Sequence, residues 1–256
     1  MMLLRRILVT TAITLVVIAI AAFWIAPIAL SFDSARKASL SARMEPTELK
    51  DLSVTQDPGK KLSYFGYEFE IPWTDLDESQ TRLVPNDHPY MVGLVFRSGL
   101  HLIVSASPAR VFPNGFAREW KVSPQNFELM FGRGAGQSDY SFLKSLYAFT
   151  PGKMHLWALS PSVHLREQML LMWKGAILSG SADTGIFNIH NQSYRGFQLG
   201  DPQAHPRKVA ANLYSDDGSI EFTFAASDLH RPAAVTQPEI NRVVQSLRKV
   251  QQKGPG

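Results

Sequence analysis

An uncharged apolar run near the start of the chain constrains its fold more than any other feature. From Ile7 to Leu30 there are 24 residues without a charged side chain. As an α-helix this run is about 36 Å long, which exceeds the ~30 Å hydrocarbon core of a bilayer. It is also longer than the apolar part of a secretory signal, which is usually about 7 to 15 residues. The run therefore predicts a retained transmembrane anchor over residues 7–30.

A cleaved signal is the alternative to a retained anchor. Ala19-Ile20-Ala21 has the small-x-small spacing that a signal peptidase accepts. Cleavage there would leave the apolar stub Ala22-Phe23-Trp24 at the new N-terminus. Trp24 is better suited to a membrane interface, where aromatic side chains are favoured. We therefore expect the segment to be retained.

The charges beside the run are nearly balanced and set its orientation only weakly. The basic residues are Arg5 and Arg6 before the run and Arg36, Lys37 and Arg43 after it. Long domains are translocated largely regardless of flanking charge. We expect a short cytoplasmic tail over residues 1–6 and a large domain outside the cytoplasm.

Composition excludes several functional classes. The chain has no cysteine, which rules out disulfides, thiol catalysis and cysteine-based zinc sites. Its formal net charge is +4, and without Arg5 and Arg6 the chain keeps 24 basic against 22 acidic side chains. That balance is not typical of nucleic-acid binding. The expected partners are the membrane, through residues 7–30, and an envelope protein, but no nucleic acid.

The rest of the chain divides into three parts. Residues 31–61 are polar, mixed in charge and short of aromatic side chains, which predicts a juxtamembrane stalk, partly helical around residues 39–50. The globular domain is predicted over residues 62–250. Residues 251–256 are predicted to be a disordered tail.

Alternating and continuous apolar runs predict the strands of this domain. Residues 65–71 alternate between apolar side chains and Gly or Glu, which predicts a strand with one buried face. The apolar runs at 91–97 and 100–106 flank Ser98-Gly99 and predict a hairpin covered on both faces. Four further predicted strands begin at Gly185, Tyr194, Lys208 and Ser219.

Ser-Pro pairs and a capping box mark the predicted helices. Ser123 and Ser160 each precede a proline, which predicts helix starts there, and a short helix is predicted over residues 141–149. Thr236 and Glu239 have the spacing of a capping box for a last helix with an apolar stripe. The helix after Ser160 is expected to bury the stripe Leu165, Met169, Met172, Trp173 and Ala176.

The order strand, hairpin, helices, four strands and helix predicts an α+β fold with a largely antiparallel sheet flanked by helices, preceded by one N-terminal transmembrane helix. An aromatic strand closes on Phe69-Glu70-Ile71-Pro72-Trp73, and the last helix contains Ser246-Leu247-Arg248. This arrangement resembles the Mog1/PsbP-like fold over part of the domain, and the helical middle departs from that pattern. The resemblance implies a binding or assembly factor, because most members are non-catalytic.

Motifs with catalytic or metal-binding potential are isolated in the sequence. Asp183-Thr184-Gly185 matches the tripeptide of aspartic proteases, but it occurs once and lacks the apolar strand before the aspartate, so a turn explains it better. His164 and Glu167 share a helix face at a spacing seen in metal-binding bundles, without a second pair. They are predicted to lie on a solvated face. We expect no catalytic residue, no cofactor and no metal site.

Two surfaces are candidates for contacts outside the domain. The Met-rich stretch before Trp173 is either a buried helix or a contact for a partner or lipid. The basic residues of the last helix form either a solvated face or a contact for anionic lipid. The candidate contact residues are Met169, Met172, Trp173, Arg242, Arg248 and Lys249.

These observations favour a membrane-anchored binding or assembly module outside the cytoplasm, without catalytic activity. The alternative is a membrane-anchored hydrolase whose site is assembled only in the fold. A cleft in which acid, His and Ser side chains converge would favour the hydrolase.

Overall fold

The computed structural model of the chain describes residues 2–57, 59–84, 90–178, 184–204, 208–226 and 235–250. The strands are β1 (Thr47–Glu48), β2 (Lys60–Tyr64), β3 (Tyr67–Ile71), β4 (Arg82–Val84), β5 (Tyr90–Val95), β6 (Leu100–Pro108), β7 (Ile186–His190), β8 (Arg195–Leu199), β9 (Lys208–Ser215), β10 (Gly218–Ala226) and β11 (Arg248–Lys249). The α-helices are α1 (Met2–Lys37), α2 (Leu40–Arg43), α3 (Val111–Glu119), α4 (Pro124–Phe131), α5 (Asp139–Ala148), α6 (Pro161–Ile177) and α7 (Gln237–Ser246).

The long first helix, α1, contains the apolar run and continues beyond Leu30 to Lys37. Among the described residues it is the one helix long and apolar enough to cross a membrane, by length and composition. Its described side chains between residues 11 and 26 are exposed, whereas Ser31 is fully buried. The helix therefore has an apolar part whose described side chains are exposed, followed by a part that packs on the domain.

Eight strands form one large mixed sheet, here called the main sheet, in the order β1-β7-β8-β9-β10-β6-β5-β4. β1 pairs with β7 in parallel, and the other neighbours are antiparallel. The predicted α+β class, with helices flanking a large sheet, is confirmed. The sheet is mixed, because β1 comes from the segment before the domain and runs alongside β7 at one edge.

One face of the main sheet is covered by a small sheet of β2, β3 and β11 together with α7. Phe69 of β3 lies edge-on to Phe222 of β10, with ring centroids 4.9 Å apart. Ile240 and Val243 of α7 are fully buried in the same core. The apolar stripe predicted for the last helix therefore docks it on the domain.

The small sheet differs from the predicted single strand over residues 65–71. Phe65 and Gly66 have positive φ angles of 57° and 80° and form the turn between β2 and β3. Two positive φ angles in a row are what a type I′ hairpin turn requires. The last helix also ends earlier than its apolar stripe, at Ser246, because the chain continues in extended form and pairs with β3 as β11.

The opposite face of the main sheet is covered at β7, β8 and β9 by a helical lobe, defined as α3 to α6. Phe197 of β8 contacts Tyr140 and Tyr147 of α5, at ring-centroid distances of 5.3 and 5.0 Å. The lobe does not extend over β6, where burial alternates and Ile103 is 36 % exposed. The hairpin of β5 and β6 forms as predicted, but it is covered on one face only.

The segment predicted as a stalk lies along the domain. The Asn241 side-chain amide of α7 donates to the carbonyl oxygens of Asp51 and Ser53, at 2.9 and 2.7 Å. The Thr55 amide donates to the Pro238 carbonyl at 3.3 Å. These partners are distant in sequence, so local composition does not reveal them. The predicted tail over residues 251–256 lies outside the described residues.

Candidate membrane-facing surface of the helical lobe

Helix α6 is the central element of this surface, and its two sides differ from the prediction. Ser160 and Pro161 begin the helix as expected. Its buried positions include three ionisable side chains, and its predicted apolar stripe is largely outside the core. The buried residues are His164, Glu167, Leu170, Leu171 and Lys174. The exposed ones include Leu165 and Met172, so the predicted burial of this stripe is wrong.

A buried hydrogen-bonded group joins α1 to α6. His164 Nε2 lies 2.7 Å from the Ala158 carbonyl oxygen, which can only accept, so Nε2 carries the proton. His164 Nδ1 lies 2.9 Å from Ser31 Oγ. Gln168 donates to Ser31 Oγ at 2.9 Å and to the Pro27 carbonyl at 3.2 Å. α6 therefore satisfies polar groups of α1 at the end of its apolar run.

Glu167 fixes the loop that precedes α6. This fully buried carboxylate accepts from the His155 backbone amide at 2.8 Å and lies 2.6 Å from His155 Nδ1. The prediction that His164 and Glu167 lie on a solvated face is wrong. Both ring nitrogens of His164 and both carboxylate oxygens of Glu167 have a hydrogen-bond partner. These partners remove most of the free-energy cost of burying the two polar side chains.

Lys174 is the third buried ionisable residue of α6. Its ammonium donates to the carbonyl oxygens of Tyr147 and Phe149 at 2.8 and 2.9 Å, and to that of Met44 at 2.5 Å. The first two carbonyls lie at the C-terminus of α5, where a cation interacts favourably with the helix dipole. Burial lowers the pKa of Lys174 to about 8. The lysine thus connects α5, α6 and the segment after α2.

The three candidate contacts on α6 lie in different environments. Met169 is half-buried and Met172 is 55 % exposed. The Trp173 ring packs edge-on against Phe116 and Trp120, at centroid distances of 4.9 and 5.7 Å. Trp173 therefore belongs to the rim of the lobe core, and Met172 is the most accessible of the three.

The basic candidates on α7 and β11 form ion pairs within the domain. Arg242 pairs with Glu70 at 2.7 Å, and Lys249 pairs with Asp217 at 3.1 Å. Arg248 pairs with Glu68. Among the described residues, no hydrogen bond, ion pair or ring contact joins these three to the candidates on α6. The six candidates therefore fall into two separate groups.

The surface beside α1 also contains apolar side chains that sequence reasoning missed. Trp157 is 80 % and Leu159 is 77 % exposed, and both lie in the loop before α6. The Trp157 ring contacts Phe32 of α1 edge-on, at a centroid distance of 5.1 Å. A signal was present in the sequence, because residues 154–165 contain no Asp, Glu, Lys or Arg. Such a stretch on a surface points to an apolar contact.

A cleft of about 700 Å³ lies elsewhere in the helical lobe, between α3 and α4. Phe127 and Val122 contribute apolar walls, and Arg110, Asn114 and Glu128 contribute polar groups. Its volume is in the range of small-molecule sites. It does not contain the buried His164 group.

The arrangement of Ser31 and His164 resembles part of a hydrolase site but lacks its essentials. A nucleophilic serine must reach a substrate carbonyl, whereas Ser31 is fully buried between two helices. The second nitrogen of His164 is occupied by the Ala158 carbonyl and not by a carboxylate. Among the described residues, no three His, Asp or Glu side chains are grouped as metal ligands. Asp183 of the protease-like tripeptide lies outside the described residues.

Comparisons with known proteins give no assignment: no protein-family model, curated protein or solved structure significantly matches the chain.

Proposed function

We propose that the protein is a single-pass membrane protein whose large domain lies outside the cytoplasm and acts as a non-catalytic binding or assembly module. One observation carries the proposal. A single continuous helix, α1, is exposed and apolar over its described part up to residue 26 and is docked on the domain from Pro27 to Ser31. An exposed apolar helix of this length is stable in a bilayer and costly in water.

The docking of α1 also argues for a retained anchor over a cleaved signal. Cleavage after Ala21 would leave the helix remnant from residue 22 to Lys37, which would still carry Phe23, Trp24 and Ile25 exposed on the domain surface. A secreted protein would then display a contiguous apolar patch. Retention of the whole helix places these side chains in lipid.

The strand and the last helix that carry the resemblance to Mog1/PsbP-like proteins are in contact, and a binding or assembly role is what that resemblance implies. The Glu70 amide at the end of β3 donates to Ser246 Oγ of α7 at 2.8 Å. Trp73 Nε1 donates to Glu239 at 2.9 Å. The cleft between α3 and α4 and the exposed part of α6 are two surfaces available to a partner.

Protease shaving of intact cells and of spheroplasts tests the orientation. We expect the domain to be lost on shaving while a membrane-embedded N-terminal fragment persists. A domain that is protected until the membrane is permeabilised would reverse the orientation.

A panel of ester, peptide and glycoside substrates tests the absence of catalysis, using the full-length protein in detergent. We expect no turnover above that of a heat-inactivated sample. Turnover above this background would establish the hydrolase alternative and contradict the proposal.

A further inference from the structure

We propose that the loop from His155 to Ser160 is a second membrane contact, with Trp157 and Leu159 inserted into the interfacial layer of the bilayer beside α1. The inference rests on the proposed function, because it requires α1 to cross the membrane. It adds a peripheral lipid contact made by the domain itself.

The level of Trp157 along the anchor follows from its contact with Phe32. An apolar run about 36 Å long extends about 3 Å beyond each side of a ~30 Å hydrocarbon core when it is centred. Phe32 lies two residues after Leu30, which adds about 3 Å. The Phe32 ring, and the Trp157 ring 5.1 Å from it, then lie in the headgroup layer. Tryptophan is enriched at this depth because it has an apolar ring and a polar N–H.

The exposure of Trp157 is imposed by its neighbours in the loop. His155 is fixed on one side through its backbone amide and its ring, which both bind Glu167. Ala158 is fixed on the other side through its carbonyl, which binds His164. Trp157 lies between these two attachments with 80 % of its surface exposed. Because Glu167 and His164 are themselves buried on α6, the loop presents Trp157 and Leu159 outward in a defined conformation.

The charges around the loop suit a lipid surface. Residues 154–165 contain no Asp, Glu, Lys or Arg. The nearest acid on α1, Asp33, pairs with Lys37 at 2.7 Å and with Arg36 at 3.6 Å. The two cations outnumber the one anion, which favours contact with anionic headgroups. The loop contacts α1 at the level where the anchor would leave the membrane. This position favours the bilayer over a protein partner as the surface that the loop contacts.

The test uses the absence of cysteine, which allows a single fluorescent label at any chosen position. Full-length Trp157→Cys, Leu159→Cys, Leu83→Cys and Val17→Cys proteins are labelled with an environment-sensitive dye. They are reconstituted into phosphatidylcholine–phosphatidylglycerol vesicles with or without a lipid carrying a nitroxide near the headgroup. Leu83 is the matched control, because it is an exposed leucine on β4 at the far edge of the main sheet. Val17 reports on the anchor itself.

We expect the labels at 157 and 159 to lose most of their fluorescence to the shallow nitroxide, several-fold more than the label at 83. Leu159→Cys keeps the ring contact between Trp157 and Phe32, so it also controls for damage to the loop. If the labels at 157 and 159 are quenched no more than the label at 83 while the label at 17 is shielded from water, the loop does not contact the membrane. The proposal of a loop contact would then be overturned, and α1 would still be an anchor. A label at 17 that is accessible to water would overturn both.

Discussion

At the scale of single residues, Lys174 connects parts of the domain that are distant in sequence. Its ammonium binds three backbone carbonyls, two of them at the C-terminus of α5. We expect Lys174→Met to lower the free energy of unfolding by about 1–3 kcal/mol, because the carbonyls lose their donor while the aliphatic stem is kept. Urea unfolding followed by tryptophan fluorescence measures this. Lys144→Met on the exposed side of α5 is the control, with an expected change within about 0.5 kcal/mol.

The pH dependence of stability gives a second prediction for Lys174. Its pKa is about 8 in the folded protein, below the ordinary value of 10.5. Between these two values the unfolded chain binds a proton that the folded chain has lost, so the stability contributed by this residue rises with pH. We expect the free energy of unfolding of the wild type to rise relative to that of Lys174→Met from pH 8 to pH 10. If the free energies of unfolding of the wild type and of Lys174→Met changed with pH in parallel, the lowered pKa of Lys174 would be contradicted.

Gly196 of β8 lies against the backbone of β9. A Cβ built at this position would lie 1.8 Å from the Asn212 carbonyl oxygen of β9. The β9 backbone cannot move aside as a flexible side chain can. We therefore expect Gly196→Ala to lower the free energy of unfolding by about 3 kcal/mol or more. Gly93→Ala on β5 is the control, because a Cβ there has no neighbour within 4 Å. Equal thermal unfolding midpoints for the two variants would contradict the close contact between Gly196 and the β9 backbone.

The residue scale also shows where sequence patterns fail. Apolar periodicity selected the stripe of Leu165 and Met172 as the buried side of α6, and both are exposed. The buried side contains His164, Glu167 and Lys174, whose partners come from residues 31, 44 and 147–158. A sequence pattern within one helix contains no information on such distant partners, so the candidate contacts on α6 were only partly predictable.

At the scale of elements, the attachment of α1 to α6 depends on Gln168, which donates to Pro27 and Ser31. Gln168→Leu removes both donors and leaves the Pro27 carbonyl and Ser31 hydroxyl without them. We expect the distribution of distances between spin labels at positions 17 and 129 to broaden in lipid nanodiscs. Gln125→Leu, the same change on the exposed side of α4, should leave the distribution unchanged. A narrow distribution in Gln168→Leu would show that other contacts suffice.

The attachment of residues 51–55 to α7 gives a second prediction at this scale. Asn241→Ala removes the two hydrogen bonds to Asp51 and Ser53. We expect faster hydrogen exchange at the Thr55 amide, which binds the Pro238 carbonyl, with little change in β9 and β10. Unchanged exchange at Thr55 would mean that the segment is held independently of Asn241.

Elements with strong local signals were predicted, and elements that depend on pairing were missed. Helices α4 and α6 begin at their Ser-Pro signals, and α7 begins at its capping box. In contrast, α3 contains Pro113 and Gly115, which are weak helix formers, and its start is fixed by Asp139 accepting from the Phe112 amide. β11 exists only through its pairing with β3.

At the scale of the whole molecule, the domain is held directly to α1. The main sheet has the small sheet and α7 on one face and the helical lobe on part of the other. Helix α1 packs against α6 of the lobe. The segment after α1 then runs along the domain to β2. A membrane-crossing α1 would therefore fix the domain close to the bilayer, with α6 and the loop before it next to the lipid.

The most direct test of this account is the intact mass of the protein that stays in the membrane after alkaline carbonate extraction. We predict a carbonate-resistant protein whose mass includes residues 1–30. A soluble product that begins near Ala22 would contradict the account, because the first helix would then be a cleaved signal and the protein would act free of the membrane.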